Sequence, residues 1–270
     1  MDADDGALLG LIGGQFLERG SGRRGVRKQA PVEEKESFRW LQGADEAGSV
    51  CAGAQEVTVI ADREGDIYEA FALRSHGVGM LVGAAQDRSL DEGARLFAAV
   101  DALPPAGLST LDLPASAGRR ARRARVAARF MPMRLACPRG SRRMGLAPHV
   151  DLHLVDIREV DAPTGAAPVH WRLLTTQAVG SLPEAWTVAD LYRRRWVIEQ
   201  LFRTLKTKGF DIEALQIEEP GARRKMVTAA LAAAVPLHRP WLRRHRQHPC
   251  KNAPSAANGW MSPNKLRYAR

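Results

Sequence analysis

The chain has 270 residues, enough for one large domain or two small ones. With 45% hydrophobic and 26% charged residues it is neither disordered throughout nor able to cross a bilayer, its longest apolar runs being too short. Forty Lys and Arg against 30 Asp and Glu give a net charge of +10, and the excess is concentrated: Leu113–Val150 holds ten arginines and no acid, and 236–270 holds six Arg and two Lys, again with no acid. Two basic segments on an otherwise acidic body predict a polyanionic partner, nucleic acid first, with plain solvated surface as the alternative. The three cysteines have neither disulfide nor zinc spacing. No Lys/Arg-headed apolar leader opens the chain, so the cytoplasm is the expected compartment.

In chain order, Ala7–Phe16 is apolar, glycine-containing and closed by charge, which predicts a short hairpin. Glu33–Glu46 has helical spacing around Phe38 and Leu41. Glu56–Ala61, EVTVIA, is a β-branched run stopping at Asp62-Arg63-Glu64, the pattern of a buried parallel strand that delivers a carboxylate at its C-terminal end. Asp66–Leu73 predicts a helix with Asp66 as N-cap and Glu69 three residues on, and Glu64, Asp66 and Glu69 read as helix-start and surface acids. From His76 to Val179, short stretches with period-two alternation predict antiparallel strands around GVGMLVGAA, LSTLDLP, ARVAARFMPMRLA, HVDLHLVDI and VHWRLLTT, with one helix at Leu90–Val100. Val188–Lys208 and Gly221–Val235 read as helices, and periodicity stops at Pro236.

Laid on one helix at about 100° per residue, Tyr192, Arg195, Glu199 and Lys206 fall in a single stripe, with Leu191, Ile198, Leu201, Phe202 and Leu205 on the adjoining face. The helix would present a phenol, a guanidinium, a carboxylate and an ammonium in a row. An ordinary amphipathic helix with an Arg195–Glu199 pair would read the same way. His149 and His153 lie too far apart on a strand for one metal. His245, His248 and Cys250 fall in an irregular tail where chance is enough to group them.

Tyr-x2-Arg-x3-Glu-x6-Lys at Tyr192, Arg195, Glu199 and Lys206 resembles the signature of the cut-and-paste bacterial insertion-sequence transposases, the DDE-type group that includes the transposase of transposon five. DREGDIYEAF around Asp62 resembles the block carrying that group's second catalytic aspartate, and KESFRWLQG (Lys35–Gly43) and VHWRLLTT resemble two further blocks in matching order. The resemblance implies an α/β fold: a partial RNase H-like core interrupted by a strand-rich antiparallel insertion. The corresponding divisions are 1–75 for the N-terminal part of the core, 76–180 for the insertion, 181–235 for the C-terminal core helices and 236–270 for a basic tail. It implies Asp62 and Glu199 as catalytic metal ligands for Mg²⁺ or Mn²⁺. It implies Tyr192, Arg195 and Lys206 on the phosphates of transposon-end DNA, and Trp171 stacked on a flipped base. A core aromatic is the other reading of Trp171. Arg119, Arg120, Arg122 and Arg123, in the basic segment, are further expected phosphate contacts.

The sequence departs from the group at both ends. No aspartate-threonine element matches the strand that carries the first metal ligand, because Asp2, Asp4 and Asp5 have no strand before them, and no N-terminal DNA-binding domain is found. Past Val235 the chain is unlike the group. These departures predict a chain truncated at its N-terminus and divergent at its C-terminus, holding two of three ligands, with transposase activity lost or impaired. The rivals are a non-catalytic DNA-binding remnant that inhibits intact transposase, and an unrelated metal-dependent phosphohydrolase. The expected partners are DNA and a second transposase chain, as homodimer or heterodimer, and no membrane.

Overall fold

The computed structural model describes residues 1–4, 6–16, 38–113, 120–142, 145–207, 210–212, 214, 216, 217, 219–244 and 265–269. The mixed α/β architecture expected from the sequence is what forms. Its centre is a seven-stranded sheet in the order β3-β4-β5-β6-β2-β1-β7. The strands are β1 (Glu56–Ala61), β2 (Val78–Gly83), β3 (Gly107–Leu113), β4 (Arg122–Ala136), β5 (His149–Val160), β6 (His170–Thr175) and β7 (Lys265–Ala269). β1 runs parallel to β2 and to β7, and every other neighbouring pair is antiparallel. The strands of 76–180 therefore continue the sheet begun by β1, with β6 meeting β2 along Leu81–Gly83.

Both faces of the sheet are covered, and the parity of each strand shows it. Val57, Val59 and Ala61 of β1, Val78, Met80 and Val82 of β2, and Leu152 and Leu154 of β5 enter one core. The helices α1 (Phe38–Val50), α2 (Tyr68–Ala72) and α3 (Leu96–Asp101) close that core. Ile60, Leu81, Val155, Ile157 and Leu173 enter the other, covered by α5 (Leu182–Arg193). A strand buried on both sides carries apolar residues at consecutive positions, which is why EVTVIA shows no alternation. A short helix α4 (Arg139–Arg142) joins β4 to β5. Helices α6 (Trp196–Thr207) and α7 (Pro220–Arg244) pack on each other through Leu201, Leu205, Ala230 and Ala234, a third and smaller core.

Several elements differ from the sequence expectation. Residues 7–16 form no hairpin: Gly6 takes a positive φ of 70°, and the segment folds back so that Asp2 N–H reaches the Ala7 carbonyl at 2.8 Å. The expected helix at Leu90–Val100 begins only at Leu96, because Ser89 bridges Arg95 and Leu90 bridges Leu135 on the way into it. The single helix expected over Val188–Lys208 is two helices. Arg194 and Arg195 form a tight joint in which Arg194, Arg195, Val197 and Ile198 each donate to the carbonyl three residues back. At the far end α7 runs past the expected stop at Pro236 to Arg244. Ala234 and Val235 are buried there and His238 Nε2 lies 2.9 Å from Thr204 Oγ1 of α6, so packing carries the helix through an exposed proline that on its own costs about 3 kcal/mol.

Candidate active site

Asp62 follows β1 directly and caps a single 3-10 turn, Arg63–Gly65, by accepting the Glu64 N–H at 3.0 Å. A strand buried on both faces ends here, and the first polar residue after it marks where the sheet meets solvent. The parallel register sets Ala61 against Val82, so Gly83 at the end of β2 stands beside Asp62. Gly83 is the permissive position of the site. A Cβ built on it would lie 2.8 Å from the Tyr192 hydroxyl and 3.3 Å from Arg63 Cγ. Only a bare Cα lets the α5 phenol reach the carboxyl ends of β1 and β2.

Tyr192 is buried, and burial pushes its phenol pKa up; the Arg195 guanidinium opposes that shift and the Asp62 carboxylate adds to it. Arg195 lies 5.7 Å from the centre of the Tyr192 ring and donates to Glu199 Oε1 at 2.7 Å. Asp62, Tyr192, Arg195 and Glu199 are thus linked neighbour to neighbour, although a helix break separates the tyrosine from the glutamate. Lys206 is exposed, seven residues beyond Glu199 on the same face of α6 and about 10 Å further along it. Trp171 of β6 is half-buried, its ring centre 5.7 Å from Tyr192 and 6.0 Å from Trp196. The tryptophan therefore packs in the core and borders the site at once.

Three supporting residues escaped the sequence reading. Arg194 donates to the backbone carbonyls of Asp2 at 3.1 Å and Ala3 at 2.6 Å, so residues 1–4 clamp the α5–α6 joint. Burial pushes its pKa down, and Asp190 opposes that shift. In sequence it is one of three consecutive arginines, with nothing to tell it from its neighbours. Ser181 and Glu184 form a capping box at the start of α5, with Glu184 accepting the Gly180 N–H at 2.8 Å and the Ser181 N–H at 3.0 Å. Those backbone bonds hold the Glu184 carboxyl below its usual range. Ser-x-x-Glu was legible as a helix start.

Asp66 is a correction. It is neither an N-cap nor a surface acid. The helix after it starts at Tyr68 with Ile67 as cap, and Asp66 is buried, accepting from Ala85 N–H at 2.7 Å, Gln86 N–H at 3.2 Å and Arg88 Nε at 2.8 Å. Glu64 and Glu69 are also engaged, with Arg39 at 2.6 Å and with the Ser141 hydroxyl at 2.8 Å.

The basic strand β4 has acid partners that its own sequence does not contain. Arg122 grips Glu159 with both terminal nitrogens, Arg123 pairs with Asp112 at 3.1 Å, and Arg125 pairs with Asp161 at 3.0 Å. Arg129 stands 3.5 Å from the buried Asp156, and Arg134 stands 3.0 Å from Asp151. Arg120 is exposed and Arg119 lies outside the described residues. His149 faces Asp91 at 3.8 Å, and His245, His248 and Cys250 lie outside the described residues. Among the described residues no three His, Cys, Asp or Glu side chains gather as a metal site, and no helix is long and apolar enough to cross a membrane.

A carboxylate at the end of a buried strand and a Tyr-Arg-Glu cluster on the helices beside it suit the handling of a phosphodiester. The family model described as the transposase DDE domain matches residues 19–235, spanning Asp62, Trp171 and all four residues of the Tyr-Arg-Glu-Lys series. Transposases of this kind act on DNA in transposition and recombination, generally with divalent metal. With most of its length matched, the chain belongs to the transposase DDE domain family.

Proposed function

We propose that this chain is the DNA-handling core of a cut-and-paste insertion-sequence transposase of the Tyr-Arg-Glu-Lys group, with an RNase H-like core interrupted by the strand-rich stretch 76–180. What supports the reading is a series of neighbours beside the end of β1: Asp62 follows that strand, the Tyr192 hydroxyl reaches Gly83 next to it, and Arg195 lies 5.7 Å from the Tyr192 ring and donates to Glu199. Asp62 and Glu199 offer hard carboxylate oxygens, which fit Mg²⁺ or Mn²⁺ in donor chemistry. A bound divalent ion would supply Lewis-acid charge to the scissile phosphodiester. Arg195 and Lys206 hold phosphate oxygens, and Arg195 would exchange its carboxylate partner for phosphate as DNA enters. Trp171 stacks on a base extruded from the duplex. Arg119 and Arg120 add phosphate contacts, while Arg122 is engaged by the buried Glu159 and Arg123 pairs with Asp112 at the surface. A second transposase chain is the expected protein partner.

A second reading is a DNA-binding protein that does not cut and competes with active transposase, in a mixed dimer or on the same ends. One observation favours it: Asp66, four residues after Asp62, is fully engaged by Arg88 and two backbone amides. Both readings predict binding to duplex DNA that falls steeply with salt. Lys206→Ala should weaken that binding about tenfold, read by fluorescence anisotropy at low salt. Absence of binding by the wild type at low salt refutes both. An end-labelled duplex incubated with Mn²⁺, with Asp62→Ala and Glu199→Ala as controls, separates them. Cleavage abolished by both substitutions supports the transposase, and binding without cleavage supports the competitor.

A further inference from the structure

Around Asp62 the arginines are accounted for one by one. Arg39 pairs with Glu64 at 2.6 Å, Arg88 with Asp66 at 2.8 Å, Arg193 with Asp190 at 3.2 Å and Arg195 with Glu199 at 2.7 Å. Arg194 is held by two backbone carbonyls. Arg63 breaks the pattern. It is exposed, and among the described residues no carboxylate or carbonyl accepts from its guanidinium.

Its position is fixed all the same. Arg63 opens the 3-10 turn capped by Asp62, and its backbone carbonyl accepts the Asp66 N–H at 3.3 Å. Asp66 is itself locked by Arg88, so the turn beneath Arg63 is anchored to a buried ion pair. Its Cγ lies 3.3 Å from the point a Cβ on Gly83 would occupy, the same point the Tyr192 hydroxyl approaches at 2.8 Å. A guanidinium without an acid partner among the described residues, on a rigid turn, one residue from the candidate metal ligand and on the same side of Gly83 as the Tyr192 phenol, has its cost of ordering partly met before any ligand arrives. Its planar fork matches the two free oxygens of a phosphodiester.

We propose that Arg63 is a phosphate clamp of the site, holding the DNA backbone beside the bond that Asp62 serves. The proposal rests on the reading that DNA occupies this site. Arg63 forms, with Tyr192 and Arg195, a cationic and hydrogen-bonding rim around the end of β1. Unlike Arg195, it gives up no ion pair when phosphate binds, so its charge counts fully towards affinity and towards counterion release.

The experiment is a titration of a fluorescent duplex oligonucleotide with the full chain, in KCl from low to moderate concentration, for wild type, Arg63→Gln and Arg63→Lys. Arg63→Gln is expected to bind about tenfold more weakly at low salt, with the salt slope shallower by about one. Arg63→Lys is expected to restore the slope but only part of the affinity, because an ammonium keeps the charge and loses the fork. Thermal melting of both variants should match the wild type, since the side chain is exposed and bonds to no acid or carbonyl among the described residues. Arg63→Gln with wild-type affinity and slope overturns the proposal while leaving DNA as the substrate intact. So does a loss of affinity that follows a fall in melting temperature with no change in slope. If the wild type itself does not bind DNA, the reading of the site fails along with the clamp.

Discussion

Two arginine-bearing regions of this molecule look alike in sequence and differ in structure. Strand β4 carries five arginines, Arg122, Arg123, Arg125, Arg129 and Arg134, and each meets an Asp or Glu contributed by β3, β5 or the turn after β5. At the α5–α6 joint the three arginines are assigned three different tasks. Arg193 pairs locally with Asp190, Arg194 anchors the joint to residues 1–4, and Arg195 faces the site beside Tyr192 and Glu199. A run of positive charge in a sequence therefore says little about free charge on the surface. The acids that neutralise a strand come from its neighbours across the sheet, and composition counted along the chain cannot see them.

The comparison is most exposed to challenge at Asp156. This carboxylate is fully buried beneath β4 and lies 3.5 Å from Arg129, 2.7 Å from His170 Nε2 and 3.3 Å from Arg172 Nε. If the β4 arginines serve the sheet, Asp156→Ala should destabilise the protein by about 3–5 kcal/mol, because it removes the buried anion shared by Arg129, His170 and Arg172 and leaves Arg129 with only the Leu103 carbonyl and Arg172 with only Asp101 as acceptors among the described residues. Urea unfolding measures it. A loss under about 1 kcal/mol would show that the network is peripheral to the fold.

Trp171 sharpens the comparison from the other side, since it sits where the sheet meets the joint. Trp171→Ala should weaken binding to DNA carrying an unpaired or abasic position by about 1–3 kcal/mol more than binding to intact duplex. Parallel thermal melts report any loss of packing against Tyr192 and Trp196. An equal loss of affinity for both DNAs, in step with a lower melting temperature, would return Trp171 to the core.

The smallest expected effect concerns Arg125 and Arg134, whose pairs with Asp161 and Asp151 are largely exposed. Arg125→Gln and Arg134→Gln should each change stability by less than about 0.5 kcal/mol. If β4 differs from the joint as described, anisotropy should find their DNA affinity within about twofold of wild type. A tenfold loss in either would make the outer face of β4 a DNA surface and dissolve the contrast.

What the sequence could tell divides along the same line. EVTVIA was legible as a buried strand, and β3 to β6 were legible from alternation, because burial on one or both faces writes itself into neighbouring residues. The candidate site residues Asp62, Tyr192, Arg195 and Glu199 stood out only through their spacing and its resemblance to a known pattern. Features that depend on distant partners were not legible. Asp66 meets an arginine 22 residues later, and Arg194 meets carbonyls more than 190 residues earlier. The break between α5 and α6 leaves no mark in the spacing of Leu191, Ile198, Leu201 and Leu205, which fits one continuous helix. The run of α7 through Pro236 depends on contacts with α6, which override the local preference to stop.

The break has a consequence for how the site tolerates change. On one rod, Tyr192 and Glu199 would keep a single phase, and any added or lost residue would turn everything downstream together. Here the phase is reset at an elbow pinned by Arg194, so the site behaves as a caliper with two independently indexed jaws. Inserting one residue within α6 just after Trp196 would swing Glu199 and Lys206 by about 100° while Tyr192, Arg194 and the Gly83 gap stay where they are. The phenol and the carboxylate can therefore be misaligned separately, and the elbow decides which jaw a length change moves.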